Sequence, residues 1–332
     1  MRTFRHSIAA LALAGALGSA PANAATILKL ATMAPDGSIW MQALADAKAE
    51  IETATAGAVK VKIYPGGIMG SEQDVLFKIK TGQLHGGGFL GYAIGVVCPD
   101  AGALMFPMVF RNYDEVDRTL DTMRPFLDAR TRAAGFETLG WTEVGFSYAY
   151  SVKPISSLET LRATKVWGLD SPMLMELFAA AGIASIPADV TDVLTALQTG
   201  LLETVFGPPT AAVAVQWHTK IRYGNALRLT YAVGGVFLSG AAWNSVPAAH
   251  RETVRAVFDK HCRQLTPKVR QSDVEALDFM RGQGIQILEP TPETRAAFEQ
   301  VAATALQQVK GQDFSAEVWD LLQQTLREIR GP

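Results

Sequence analysis

The chain has 332 residues, with 30 Lys and Arg against 32 Asp and Glu, a formal charge of −2 and 48% hydrophobic residues. A near-neutral balance without a basic stripe argues against a nucleic-acid binder or a protein held to an anionic membrane by charge. The apolar content and length suit two globular domains.

Residues 1–24 read as an export signal: Arg2 and Arg5 precede an apolar run from Ile8 to Leu17, and Ala22-Asn23-Ala24 forms an A-x-A cleavage site. Removing them takes two arginines and no carboxylate, which moves the formal charge from −2 to −4. The run is too short to span a bilayer and no cysteine follows it to carry a lipid, so the expectation is a soluble periplasmic protein.

The mature chain opens with a strand, Ile27–Ala31, and a turn, Pro35–Ser38, that caps a helix from Ile39 to Thr53 with Trp40 in its first turn. A second strand, Val59–Ile63, alternates cleanly and precedes a helix from Ser71 to Lys80. Such alternation predicts a mostly parallel sheet, whose ligands collect at strand C-termini. Trp40 and the Gly86–Gly95 loop, with Phe89, are therefore expected at a cleft. The run from Gly140 to Ser151 carries Trp141, Glu143, Phe146 and Tyr148, too much for one short strand, and reads as a crossing between lobes. A strand at Lys165–Leu169, a helix capped by Ser171 before Pro172, a helix from Thr191 to Gln198 and a strand stopped by Pro208 and Pro209 follow. Val246–Met280 reads as helix interrupted at Thr266-Pro267, hence kinked or two helices, and Leu277–Leu288 as a return to strand before terminal helices. Val233–Ala241, with Gly234 and Gly235, is expected to be a second crossing.

A pattern occurs twice: Asp74-Val75-Leu76 with Thr81-Gly82, and Asp192-Val193-Leu194 with Thr199-Gly200, 118 residues apart. Each copy ends in Gly where a helix needs a left-handed residue, and each is followed by a strand-like run, Gln83–His85 and Leu201–Glu203. Two similar α/β lobes around a cleft account for the repeat; chance is the alternative, since both fragments are common helix material.

Among chemical motifs, Gly86-x-Gly88-x-x-Gly91 has the dinucleotide spacing but lacks the long preceding strand and the acidic residue about 20 positions later, so the glycines read as a close-approach loop. No nucleophile elbow, zinc-protease, P-loop or paired-carboxylate motif is present. Cys98 and Cys262 have no metal-site spacing; they are two buried thiols or one disulfide. The five histidines form no paired motif. No cofactor is expected, and the chain does not read as an enzyme.

The chain resembles the periplasmic solute-binding subunits of TRAP transporters, the DctP-like family. The resemblance rests on Ala31–Trp40 (ATMAPDGSIW), Val61–Gly67 (VKIYPGG), Phe106–Asp114 (FPMVFRNYD), Gly140-Trp141, Lys153–Ile155 and Thr195–Gly200 (TALQTG), in the family's order. It implies a two-lobed periplasmic-binding-protein architecture with a central cleft and hinge strands, capture of a small organic ligand, and docking on TRAP permease membrane subunits. The implied domains are a signal peptide at 1–24, lobe I at 25–142, lobe II at 143–235, a return to lobe I at 236–285 with a long interlobe helix, and C-terminal helices packing on lobe II at 286–332. Expected ligand contacts are Trp40, Phe89, Glu143, Phe146, Ser147, Trp167, Asp170, Phe206 and Gly207. Three depart from the family pattern: Trp167 and Ser147 stand where arginines are usual, and Gly207 where an asparagine is. A ligand held by stacking and shape, and not a simple C4-dicarboxylate, is the consequence, because a buried carboxylate without a counter-charge costs several kcal/mol. A helix terminus at Ser171 is the remaining anion site. A periplasmic lyase or hydrolase on the same fold, or a sensor's binding subunit, are the competing readings.

Overall fold

The computed structural model describes residues 25–168 and 171–331, so the expected leader at 1–24 and the expected contact Asp170 lie outside the described residues. In chain order the first half contains β1 (Thr26–Thr32), α1 (Ile39–Ala54), β2 (Val59–Tyr64), α2 (Glu72–Lys80), β3 (Gly86–Phe89), α3 (Gly91–Val97), α4 (Gly102–Met105), α5 (Tyr113–Ala133) and β4 (Phe136–Ser151). The second contains α6 (Leu158–Arg162), β5 (Val166–Gly168), α7 (Pro172–Ala181), β6 (Ser185–Pro187), α8 (Val193–Thr199), β7 (Thr204–Gly207), α9 (Pro209–Ala214) and β8 (Tyr223–Ser239). It closes with α10 (Gly240–Ser245), α11 (Ala248–Gly282), β9 (Gln286–Leu288), α12 (Pro292–Val309) and α13 (Ala316–Arg330).

Local chemistry explains the boundaries. Ser38 Oγ accepts the Met41 N–H and starts α1, which buries Leu44, Ala47 and Ile51 along one stripe. The two copies of the repeat give a helix, a left-handed glycine and a strand: Gly82 has φ 75° and Gly200 φ 72°. The strands begin a few residues later than the sequence suggests, at Gly86 and Thr204. The repeated aspartates also differ. Asp74 closes a capping box with Ser71, whereas Asp192 is the N-cap of α8 and makes no side-chain cap bond.

The strands form one nine-stranded sheet in the order β2-β1-β3-β8-β4-β7-β5-β6, with β9 added on β8. Its halves mirror one another: a parallel triplet β2-β1-β3 at one end, β7-β5-β6 at the other, and the long antiparallel pair β8–β4 between them. These are the two lobes and their crossing strands. The second crossing is longer than the sequence suggests, running from Tyr223 to Ser239, because β8 pairs with β4 almost end to end. Gly86–Phe89 is strand and Gly91–Val97 helix, so the glycine segment is not a loop. A Cβ on Gly87 would press against the Ala31 carbonyl at 2.5 Å, which ties the run to close strand packing.

Helix α11 is a single helix with Pro267 inside, which settles the kinked-or-two alternative, and it continues past Leu277 to Gly282. Leu265, Val269, Asp273, Ala276 and Met280 sit on its buried face with helical spacing, which overrides the strand-like look of the following residues. It runs along β4, where glycine permits close approach: a Cβ on Gly140 would stand 2.8 Å from Cys262 Sγ, and one on Gly145 would collide with Asp273 Oδ2. Cys98 and Cys262 are free, buried in separate core clusters, and burial raises their thiols to about 11 and about 12. Of the C-terminal helices, α12 packs on α7 and α6, whereas α13 packs on α5 and α4 in the first lobe. Leu322 and Leu326 join the first lobe's core there, so the 286–332 segment is shared between lobes.

Candidate functional site

Strand register locates the cleft. Phe89, the last residue of β3, pairs with Gly235, which pairs with Trp141. Gly207, the last residue of β7, pairs with Tyr148. The C-terminal ends of the two parallel triplets therefore approach the middle of the β4–β8 ribbon from opposite sides, and Thr142–Ser147 and Thr230–Gly234 lie between them. At Gly234 a side chain would meet the Phe89 carbonyl at 3.2 Å and the methyls of Thr142 and Val144 at 3.6 and 3.9 Å, so ribbon and lobe I are already in contact.

One face of the mid-ribbon is closed by α11 through a buried polar network. Glu143, 1% exposed, accepts from Arg270 Nε at 2.7 Å, Arg270 Nη2 at 3.0 Å and the Tyr231 hydroxyl at 2.9 Å. Arg270 also binds Asp117 bidentately at 2.6 and 2.8 Å and lies over the Tyr113 ring. Burial works against its charge, but the bonds to Asp117 and Glu143 prevail and raise its pKa. An ionised carboxylate this deep requires such a partner. Glu143 thus presents its backbone carbonyl, which accepts from Trp40 Nε1 at 3.4 Å, while its carboxylate is committed to α11.

One turn further along α11, Asp273 Oδ1 accepts both the N–H and the hydroxyl of Thr210, at 3.1 and 2.5 Å, in the first turn of α9. Its Oδ2 is buried without a partner among the described residues, and burial raises the carboxyl to about 6. The corresponding end of lobe I is held by Glu72, which accepts the N–H groups of Leu90 and Ala93 at 2.9 and 2.8 Å and whose pKa burial also raises. The helix starts after β3 and β7 are therefore both capped by protein carboxylates, whereas α1 is capped by Ser38 and the start of α7 at Ser171 carries no side-chain cap.

The remaining expected contacts fall into two groups. Trp40, Ser147 and Phe206 are partly exposed. Phe89 and Phe146 are buried, Phe89 stacked with Phe237 and Phe146 packed on Tyr113 and Tyr231. Trp167, 4% exposed, donates from Nε1 to the Ala188 carbonyl at 2.9 Å and meets Trp217 edge-on at 5.3 Å. Gly207 is explained by the same cluster, since a Cβ there would lie 3.3 Å from the Trp217 ring. Glu72, Arg270, Asp273 and Thr210 escaped the sequence reading. Ser71-x-x-Asp74 marks a helix start beside Glu72, and Arg270 and Asp273 break the apolar stripe of α11, but neither signal names the distant partner.

The residues from 30 to 312 match the family model for bacterial extracellular solute-binding proteins, family 7. The sialic acid-binding periplasmic protein SiaP of Vibrio cholerae is 22% identical over 293 residues, 86% of this chain and 88% of its own. Among solved structures, a TRAP periplasmic solute-binding protein from Ochrobactrum anthropi superposes with a TM-score of 0.84 at 22% identity, covering 92% of this chain and 96% of its own. Another from Desulfovibrio salexigens, with bound orotic acid, gives 0.82 at 19% identity, covering 92% and 99%. No helix among the described residues is long and apolar enough to cross a membrane. Sheet order, hinge ribbon and sequence match agree: the chain belongs to the bacterial extracellular solute-binding proteins of family 7.

Proposed function

We propose that the chain is the periplasmic ligand-capturing subunit of a TRAP-type transporter, closing its lobes over the mid-ribbon on a small ring-bearing organic ligand and passing it to the membrane permease subunits. The observation that carries the ligand class is the fate of the cations. Ser147, Trp167 and Gly207 supply none, and the Arg270 guanidinium beneath the site is already divided between Glu143 and Asp117. A simple C4-dicarboxylate would bring two charges to a place where neither these three positions nor Arg270 offers a free fork, at a cost of several kcal/mol. Trp40, Ser147 and Phe206 are the side chains that meet ligand first, with Phe89, Phe146 and Trp167 stiffening the walls behind them. The V. cholerae relative's name gives sialic acid and the D. salexigens structure holds orotic acid, which supports a small organic ligand; the preference for a ring rests on the missing cations.

Calorimetry against succinate, malate, sugar acids and aromatic acids, with small-angle scattering on each hit, tests the proposal. A ring-bearing ligand that binds saturably and compacts the protein is expected; tight succinate binding, or binding without compaction, rejects it. Ser147→Arg places a cation at a partly exposed ribbon position and should strengthen succinate binding by about tenfold or more, whereas Trp167→Arg buries a charge in a packed cluster and should chiefly unfold lobe II.

A further inference from the structure

A cavity of about 270 Å³ lies where the ribbon passes beyond its middle and β9 joins β8. Tyr148 and Tyr150 of β4, Arg228 of β8, Arg281 of α11 and Arg295 of α12 face it, with Glu289 at the rim and Leu277 and Ile287 as apolar wall. We propose that this cavity is a binding site for a small organic anion, distinct from the interlobe cleft.

Three guanidinium groups carried by three different elements converge on one opening. Three carboxylates stand near them: Glu289 in the lining, Asp278, which is paired with Arg281 at 2.9 Å, and the buried Asp273 of α11, close enough to act on the Tyr148 and Tyr150 hydroxyls. Arg228 spends one nitrogen on the Arg111 carbonyl at 2.9 Å and lies over Phe146. The Arg295 side chain makes no ion pair or hydrogen bond among the described residues, while its backbone N–H donates to the Thr291 carbonyl. Like charges gathered this way repel unless an anion sits among them, and guanidinium forks match carboxylate and phosphate oxygens. The floor gives an independent indication. Tyr150 is fully buried, yet its hydroxyl has no partner among the described residues, leaving a donor for a bound oxygen. Burial raises the pKa of Tyr148 and Tyr150, so both hydroxyls keep their protons. The volume exceeds that of a bare inorganic anion, a water occupying about 30 Å³, and the apolar wall suits a short carbon skeleton.

The test uses the full mature protein and two probes, glycerol 3-phosphate and citrate, titrated by calorimetry at low and moderate salt. Saturable binding of at least one probe is expected, weakened about tenfold or more in Arg281→Ala/Arg295→Ala and about two- to fivefold in Tyr150→Phe. The arginines are exposed, so the double variant should retain its melting temperature, which is measured alongside. Val190→Glu, an exposed substitution outside both sites, should leave probe affinity unchanged, whereas loss on removing Arg281 and Arg295 assigns the binding to this cavity. No saturable binding of either probe, or equal affinity in the double variant, overturns the proposal.

Discussion

The two lobes solve the same problem with carboxylates from different places. In lobe I the helix after β3 is capped by Glu72, the first residue of that lobe's own α2. Counted through the repeat, the equivalent lobe II position is Val190, an exposed apolar residue, and the helix after β7 is capped by Asp273 of α11 instead. Lobe I is thus self-contained at the cleft edge, whereas lobe II is fastened there to the helix that backs the hinge ribbon. The repeat preserved the helix, the left-handed glycine and the strand, and moved one charge. A charge so moved ties the start of α9 in lobe II to α11.

The contrast is broken most severely by removing α11's other hold. Arg270→Ala leaves Glu143 buried and unpaired and should destabilise the protein by about 3–5 kcal/mol, read from urea unfolding; a loss under about 1 kcal/mol would mean that the network is not what fastens ribbon to helix. Asp273→Asn comes next. Because its folded pKa of about 6 lies above the unfolded value, the native state holds the extra proton, so stability is lost as pH rises from about 4 through 6. The variant should remove that slope and be more stable than the parent at pH 8 by about 1–3 kcal/mol, with little difference near pH 4. Equal pH profiles would show that Asp273 does not titrate in this window.

Glu72→Ala should cost about 1–2 kcal/mol and accelerate amide exchange in α3 while leaving α9 unaffected, since both donors it satisfies lie in lobe I. Faster exchange spread over both lobes would show that the cap is not local. The smallest effect belongs to Val190→Glu, a change at an exposed position that should shift stability by less than about 0.5 kcal/mol. A larger gain would mean that lobe II accepts its own carboxylate and does not depend on Asp273.

Much of the fold was legible because it is written in short-range patterns. Alternation in Val59–Ile63, Ser38 and Ser71 as caps, and Gly82 and Gly200 as left-handed stops are set by backbone conformation and local hydrogen bonding, which depend on neighbours within a few residues. The 118-residue repeat carried the two-lobed plan for the same reason. The site was less legible. Glu143 reads as an acid at a cleft, but its direction follows from a bulge around Gly145, φ 106°, and from an arginine 127 residues away.

What the sequence by itself determined is the kind of object: two α/β lobes, two crossings, the family signature and the absence of the usual arginines at 147 and 167. What only the tertiary structure decided is which charges remain for a ligand. Electrostatic partners are chosen by distance in space and by burial, which strengthens a pairing and penalises every group left without one. Arg270 and Asp273 stand on the long helix of the 236–285 segment, from which the sequence suggested no ligand contact, and packing against Gly140 and Gly145 is what brings that helix beneath the site. Trp167 likewise reads as a ligand wall until Trp217 and the Ala188 carbonyl occupy its face and its nitrogen. No pattern of nearby residues encodes those contacts, because each joins segments whose proximity exists only after the sheet has closed.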